Sequence, residues 1–425
     1  MSTPQFANPF RPGTGHMPPY LAGRDSETKQ FLTILDQEPI LNNLILTGLR
    51  GVGKTVLLET FKPLAIQRKW LWVGTDFSES ASVSEETLAQ RILADLSIAT
   101  TGIKAKRAIH QPGFSQASFE EKTLSHATLV ELYKSTPGLI SDKIKAVLEF
   151  VWFCTSQCGV QGIVFAYDEA QTMSDHAEKE QYPLSVILDV FSSIQKKGIR
   201  FLLVFAGLPT LFPKLVSTRT YSERFFHVTT LQKLSPEDSR KAITIPIVDA
   251  CKRGKCPITF DENSISLIQK TSGGYPFFIQ FICKEVFDIF LQQISTFGKT
   301  KPIPINEIIQ KLDKNFFAGR WAHATDRQRE LLAIVATLDN CDEEFTVLDI
   351  VNASKQMADP FGASHINHML LALQDVGLVY KNRHGKYSFA VPLLGQFILR
   401  EESERTMPLL LRKSSAGNAE THRAA

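Results

Sequence analysis

The sequence predicts an α/β protein: a parallel-sheet core, then a helical segment, then a small helical domain closed by a hairpin. Three observations lead to this. Between Asn43 and Leu231, short apolar runs alternate with amphipathic helical patterns, as β–α units of a parallel sheet do. The run "NLILTG" breaks into a loop with three glycines in six positions, Gly48 to Gly53, followed at once by a lysine. From Thr325 the chain offers three short helical patterns and a hairpin pattern. A chain of 425 residues has room for about three domains at roughly 150 residues each.

Element by element, residues 1–22 are rich in Pro and Gly and predict an arm on a domain surface. A core follows over 23–232. It has strands at Asn43–Gly48, Lys69–Asp76, Gly162–Gln171, Ile199–Gly207 and Arg224–Leu231. "KTVLLETF" opens a helix that Pro63 either ends or kinks. Between Asp76 and Gly138 the chain is polar, with one expected helix near Glu85–Ala94. Further helices are expected over "SDKIKAVLEFVWFCTSQCG" and Leu184–Lys197. "SPEDSRKAI" starts the helical lid, 233–318, with Ser235 as N-cap, Pro236 at the first position and Asp238 completing a capping box. Residues 319–400 fit a winged helix with its wing turn at His384-Gly385, and 401–425 a polar tail.

Composition narrows the class. With 43% hydrophobic and 21% charged residues, the chain is globular rather than disordered. A net charge of +3 gives no field strong enough to demand a polyanion, so any nucleic-acid contact must come from local charge. Six cysteines without histidine partners read as reduced thiols, not a metal site. The N-terminus lacks an apolar signal region, and the most hydrophobic stretch, Tyr275–Ile294, carries Lys284, Glu285 and Asp288. Both features point to a cytoplasmic protein with no membrane partner.

The glycine-rich loop matches G-x-x-x-x-G-K-[ST] through Gly48, Gly53, Lys54 and Thr55. A phosphate chain needs several backbone N–H donors converging on it, and the absence of Cβ at Gly48, Gly51 and Gly53 lets the backbone approach. The helix N-terminus adds its positive dipole end. The whole loop, Gly48, Leu49, Arg50, Gly51, Val52, Gly53, Lys54, Thr55 and Val56, is therefore the candidate nucleotide cradle. Lys54 would reach the β/γ-phosphates and Thr55 would hold Mg²⁺. "IVFAYDEAQ" ends a buried strand in Asp168 and Glu169, at the edge where α/β sheets collect ligands. Asp168 joins Thr55 as a candidate for the Mg²⁺ shell, and Glu169 is the candidate general base for attack on ATP.

The order of these motifs resembles the AAA+/STAND branch of P-loop ATPases, the ASCE class, including the archaeal and origin-recognition-like ATPases. The similarity runs over roughly residues 18–400. "PPYLAGRDSETKQFLTIL" is similar to the segment that precedes the P-loop in that family; the resemblance implies that Gly23 and Arg24 lie along the adenine. "TSGGYPFFIQ" resembles the Gly-x-Pro motif of the STAND lid and implies that Pro276 sits near the base. That motif stands in place of the sensor arginine of AAA+ lids, which favours a slow switch over a processive motor. The strand tip reads "AGLPT" where many AAA+ proteins carry Asn or Thr. Arg219 or Arg224, before the last strand, matches the arginine that reaches a neighbouring subunit's γ-phosphate in the family. This implies a homo-oligomer in the ATP state.

The winged helix leaves two partners open. Lys381, Arg383 and Lys386 cluster on the wing with Tyr380 and Tyr387 beside them, candidates for contact with double-stranded DNA. Yet Arg320–Arg400 holds eight Lys/Arg against nine Asp/Glu, and "SHINHMLLALQDVGL" has no Lys or Arg, whereas a strong duplex reader shows a basic face. Two functions follow: an ATPase acting on DNA, or a STAND-type signalling or defence switch whose winged helix docks protein.

Overall fold

The computed structural model describes residues 7–403, apart from 14, 75, 78–82, 110–117, 255–257, 356, 358 and 384. Two compact units emerge. One contains Gly13–Gly48 and Val52–Gln232; the other gathers the arm up to Pro12, the loop residues Leu49–Gly51 and the chain from Lys233 on.

In chain order the first unit has α1 (Asp25–Leu35), β1 (Asn43–Thr47), α2 (Lys54–Gln67), β2 (Trp70–Val73), α3 (Glu85–Ala99), β3 (Lys104–Ile109), β4 (Ser118–Thr123), α4 (His126–Ser135) and α5 (Ile140–Ser156). Then come β5 (Gly162–Tyr167), α6 (Pro183–Gln195), β6 (Phe201–Gly207), α7 (Leu211–Thr218), α8 (Ser222–Phe225) and β7 (Phe226–Thr230). The central sheet runs β2-β5-β6-β1-β7, with every pairing parallel. All residues of β1, β5 and β6 are buried, which explains their unbroken apolar sequences: a parallel sheet is covered on both faces. β1 also buries two polar residues, Thr47 at its end and, at its start, Asn43. Its Oδ1 accepts from Leu203 N–H at 2.8 Å and from Gln195 Nε2 at 2.8 Å. Its amide nitrogen donates to Gln195 Oε1 at 3.2 Å. A buried side chain thus ties β1, β6 and α6 with its hydrogen-bonding groups satisfied.

Three parts of the polar stretch differ from expectation. The α3 helix continues to Ala99 rather than ending near Ala94, and β3 pairs antiparallel with β4 in a separate hairpin. α4 follows, capped where Ser125 Oγ accepts from Thr128 N–H at 3.3 Å. Half of the residues in the hairpin strands "KAKRAI" and "SFEEKT" are charged, so they lack the period-two apolar signal that reveals strands. α4 buries only Leu129 and Tyr133, too little periodicity to stand out. Pro63 does not end α2, which runs on to Gln67. Glu59, whose carbonyl loses its helical donor at Pro63, is exposed, as is Pro63, and water can serve that carbonyl.

The second unit has α9 (Pro236–Gly254), α10 (Glu262–Ser272), α11 (Pro276–Phe297), α12 (Ile305–Leu312), α13 (Ala318–Trp321), α14 (Asp326–Ala336), β8 (Phe345–Thr346), α15 (Val347–Ser354), α16 (Ala363–Asp375), β9 (Val379–Arg383) and β10 (Lys386–Phe389). Ser235 Oγ accepts from Asp238 N–H at 3.0 Å and so caps α9. The three-stranded sheet runs β8-β10-β9 and, with α14–α16, makes a winged helix. One hydrophobic core runs from Phe278 of α11 through Phe317 and Trp321 to Phe397 and Ile398. The wing turn keeps Gly385 at φ 72°, while His384 and the tail from 404 lie outside the described residues. The arm docks in this unit: Asn8 Nδ2 donates to Lys284 O at 2.9 Å, Arg11 N–H donates to Gln280 Oε1 at 3.1 Å, and buried Phe10 stacks on Phe260. Among the described residues, no helix is long and apolar enough to cross a membrane.

Asn43→Ala should lower the unfolding free energy by about 3 kcal/mol, because it strands the buried amide of Leu203 and the side chain of Gln195. Urea denaturation measures this. A loss under about 1 kcal/mol would show that the three elements hold together without the network.

Candidate nucleotide-binding site

β1 ends at Thr47 and α2 begins at Lys54, so the glycine motif is the loop between a buried strand and a helix N-terminus. Gly48 is required by space: a Cβ there would lie 2.7 Å from Leu231 O. Gly53 is required by conformation. It precedes α2 with φ 94°, in the left-handed region, with nothing near its Cα to clash. Among the described residues, the N–H groups of Gly51, Val52 and Gly53 donate no hydrogen bond. Free donors in sequence at a helix start fit an anion. Lys54 is buried and its Nζ donates to Gly48 O at 2.9 Å, which folds its ammonium back over the loop; Val56 lies half-buried in the first turn of α2. Leu49, Arg50 and Gly51 group with the second unit. There, Gly51 O accepts from Phe277 N–H at 3.1 Å, immediately after Pro276, the first residue of α11.

The acidic pair stands at the end of β5. Asp168 is buried, and Thr55 Oγ1 donates to its Oδ2 at 2.5 Å. Its Oδ1 accepts from Glu169 N–H at 2.7 Å. The two residues expected to share a divalent cation are thus brought together across 113 positions of sequence. Glu169 is exposed and has φ 51°. A non-glycine residue in that region carries conformational strain.

Arg24 is buried, and its guanidinium donates to Val52 O at 3.0 Å and Gln232 O at 2.8 Å. It therefore clamps the base of the loop to the exit of β7, one residue after Gly23, whose φ is 59°. The arginine pair also separates. Arg219 makes a two-point contact with Asp189, at 3.2 Å and 2.9 Å, and Tyr221 Oη donates to the same carboxylate at 2.8 Å. Burial alone would raise the Asp189 pKa, but the hydrogen bonds from Arg219 and Tyr221 hold it below the usual carboxylate value. Arg224 is exposed and makes no ion pair among the described residues. It lines a hollow of about 490 Å³ with Lys196, Ser192, Ser193 and Tyr221.

On the winged helix, Lys381 is exposed and Lys386 half-buried. Arg383 pairs in register with Lys386 across the hairpin. The open face of α16 presents Ser364, His365, Asn367, His368 and Leu371, the last 60% exposed. That surface carries no Lys or Arg, and Asp375 is exposed at its end.

Comparison with solved structures decides the fold. The Aeropyrum pernix ORC2 protein in its ADP form matches with a TM-score of 0.52 at 12% identity, over 92% of this chain and 97% of that one. The ADPNP-ADP complexes of the same protein match at 0.50 and 13%, over 92% and 98%. This is the AAA+ P-loop ATPase fold with a C-terminal domain. Residues 314–398 match the family described as a domain of unknown function (DUF8462). No curated protein matches the sequence.

Within this AAA+ core, two polar residues escaped sequence reasoning. Asp76 follows β2 and forms an isolated parallel bridge with Asp168. Its carboxyl is pushed above the ordinary value by burial, then by the charges of Asp168 and Glu169. Gln171 donates through Nε2 to Glu169 Oε2, while its Oε1 accepts from Leu208 N–H at 3.0 Å. Its closeness to Glu169 in "DEAQ" was the one available signal. Among the described residues, no group of three or more His, Cys, Asp or Glu is arranged to hold a metal by itself. The described cysteines are free thiols, and Cys256 lies outside the described residues.

A carboxyl whose folded pKa is raised leaves the fold most stable while it is protonated, and that stability is lost as pH rises through the raised value. Asp76→Asn should therefore melt higher than the wild type at pH 8, with the gain shrinking toward pH 4. Melting curves across that range check it; a gain independent of pH would mean that charge repulsion is not the cause.

Proposed function

We propose that this chain is an ATP-dependent molecular switch that binds Mg-ATP and hydrolyses it slowly. The observation that carries this is the Thr55–Asp168 hydrogen bond at 2.5 Å, beside buried Lys54 and one residue before Glu169. Thr55 and Asp168 would hold the ion, Lys54 the β/γ-phosphates, and the N–H groups of Gly51, Val52 and Gly53 the phosphate oxygens. Mg²⁺, when bound, would supply positive charge that stabilises the phosphates during transfer. Glu169 would polarise a water for attack. The nucleotides named with the Aeropyrum pernix ORC2 protein, ADP and ADPNP, support an adenine nucleotide here. Pro276, where a lid arginine would stand, supports slow turnover. Arg224 is the better finger toward a second copy, because Arg219 is already held by Asp189.

Two experiments separate binding from chemistry. Mg-ATP at about 100 Kd should stabilise the wild type by roughly 2.7 kcal/mol, and Lys54→Ala should lose most of that thermal shift. Glu169→Gln should keep the shift and lose at least about 10²-fold in turnover. Equal shifts in wild type and Lys54→Ala would remove the nucleotide assignment.

For the winged helix, DNA contact through Lys381, Arg383 and Lys386 is one proposal. The open face of α16, without Lys or Arg, favours the other, a protein-docking role in a signalling or defence switch. Three phosphate contacts would give a salt slope near about −3, and replacing all three residues by Ala should abolish it on any duplex. Titration of duplex DNA at two salt concentrations, with ADP and with a non-hydrolysable ATP analogue, distinguishes the two. No binding in either state at low salt leaves protein docking.

A further inference from the structure

We propose that Gln171 is a positioning residue: its side-chain amide hangs the Glu169 carboxylate from the tip of β6 and so aims it for hydrolysis. This rests on the ATPase reading above. Glu169 stands exposed, in a left-handed backbone conformation, on a side chain with three rotatable bonds. A general base must be held within hydrogen-bond reach of its proton, and nothing in its own backbone provides that. Gln171 does. Its Nε2 donates to Glu169 Oε2, and its Oε1 accepts from Leu208 N–H at 3.0 Å. The residue itself is fixed at the other end, where its backbone carbonyl accepts from Lys214 Nζ at 2.7 Å. Burial holds the Lys214 pKa below its ordinary value, as expected of an ammonium seated inside the fold.

Gly207 shows that the seat is shaped for this amide. A Cβ there would lie 2.6 Å from Gln171 Oε1. Gly207 has no left-handed backbone angle, so space for the amide, not conformation, explains the glycine. The strand tip continues as Leu208-Pro209, with Thr210 at the start of α7; Gln171 brings an amide to that place from the neighbouring strand's loop. The chemistry of the amide matters too. Asp76, Asp168 and Glu169 already repel one another, and a neutral donor can hold a carboxylate there where a further carboxylate could not.

The test is steady-state ATP hydrolysis by Gln171→Met, which keeps the side chain's length and removes both hydrogen bonds. The expected result is a roughly 10- to 100-fold fall in kcat, the scale of a misplaced catalytic group. KM, the ATP-induced thermal shift and the melting temperature without nucleotide should stay near wild type. Gln171→Glu keeps the shape, reverses the donor and should fall at least as far. Under single-turnover conditions, adding Gln171→Met to Glu169→Gln should cost nothing further, because both act through one group. The inference is overturned if Gln171→Met keeps kcat within twofold while Glu169→Gln loses it. It is overturned as well if Gln171→Met lowers ATP binding or melting temperature as much as turnover, or slows the Glu169→Gln protein by the same factor. If Glu169→Gln itself keeps full turnover, the assignment of Glu169 fails instead.

Discussion

β6 lies between β1 and β5, and the geometry of the candidate site depends on that insertion. Neighbouring strands are about 4.8 Å apart, so the loop leaving β1 and the acids ending β5 stand roughly 10 Å apart, two strand spacings. A phosphate chain with its cation needs a gap of that order. The first turn of α2 closes part of it with Thr55, whose hydroxyl reaches Asp168. The tip of β6 occupies the remainder, which is why a side chain anchored there, Gln171, can touch Glu169. Were β1 and β5 direct neighbours, the loop and the acids would crowd each other.

An all-apolar sheet sets the terms for every polar group at its edge. Buried polar atoms cost free energy unless they are paired. Several are paired: Asn43 with Gln195 and Leu203, Arg24 with Val52 and Gln232, Lys54 with Gly48, Asp168 with Thr55 and Glu169. The last three also fix a piece of the loop or of the acidic pair. The cost falls on Glu169, whose left-handed backbone turns its side chain out of the strand line. Strain of this kind persists where surrounding contacts over-determine it.

The second unit follows a different logic. Its lid helices and winged helix share one core of aromatic residues, with Phe278, Phe317 and Phe397 at contact distances. The arm joins this unit through Phe10 and Asn8. Along α16 the winged helix shows solvent no Lys or Arg, with Leu371 open and Asp375 exposed at the helix end.

The sequence by itself determined the parallel α/β class, the loop and the acidic pair, because each leaves a local mark. Strands buried on both faces must be continuously apolar, a phosphate cradle must carry glycine at spaced positions, and the acids must end an apolar run. The hairpin of β3 and β4 left no such mark, since half of its strand residues are charged. Tertiary structure alone decided which residues act together. Arg24 holds two backbone carbonyls, of Val52 and Gln232, that stand far from it in sequence. Of Arg219 and Arg224, the sequence favoured Arg224 only because it abuts the last strand; the fold pairs Arg219 with Asp189 of α6 and leaves Arg224 exposed. Asp76 and Gln171 drew no notice in the sequence, because what matters about them is the distance to Asp168 and to Glu169. Strand order sets such distances, and strand order comes from long-range pairing that no local window of sequence records.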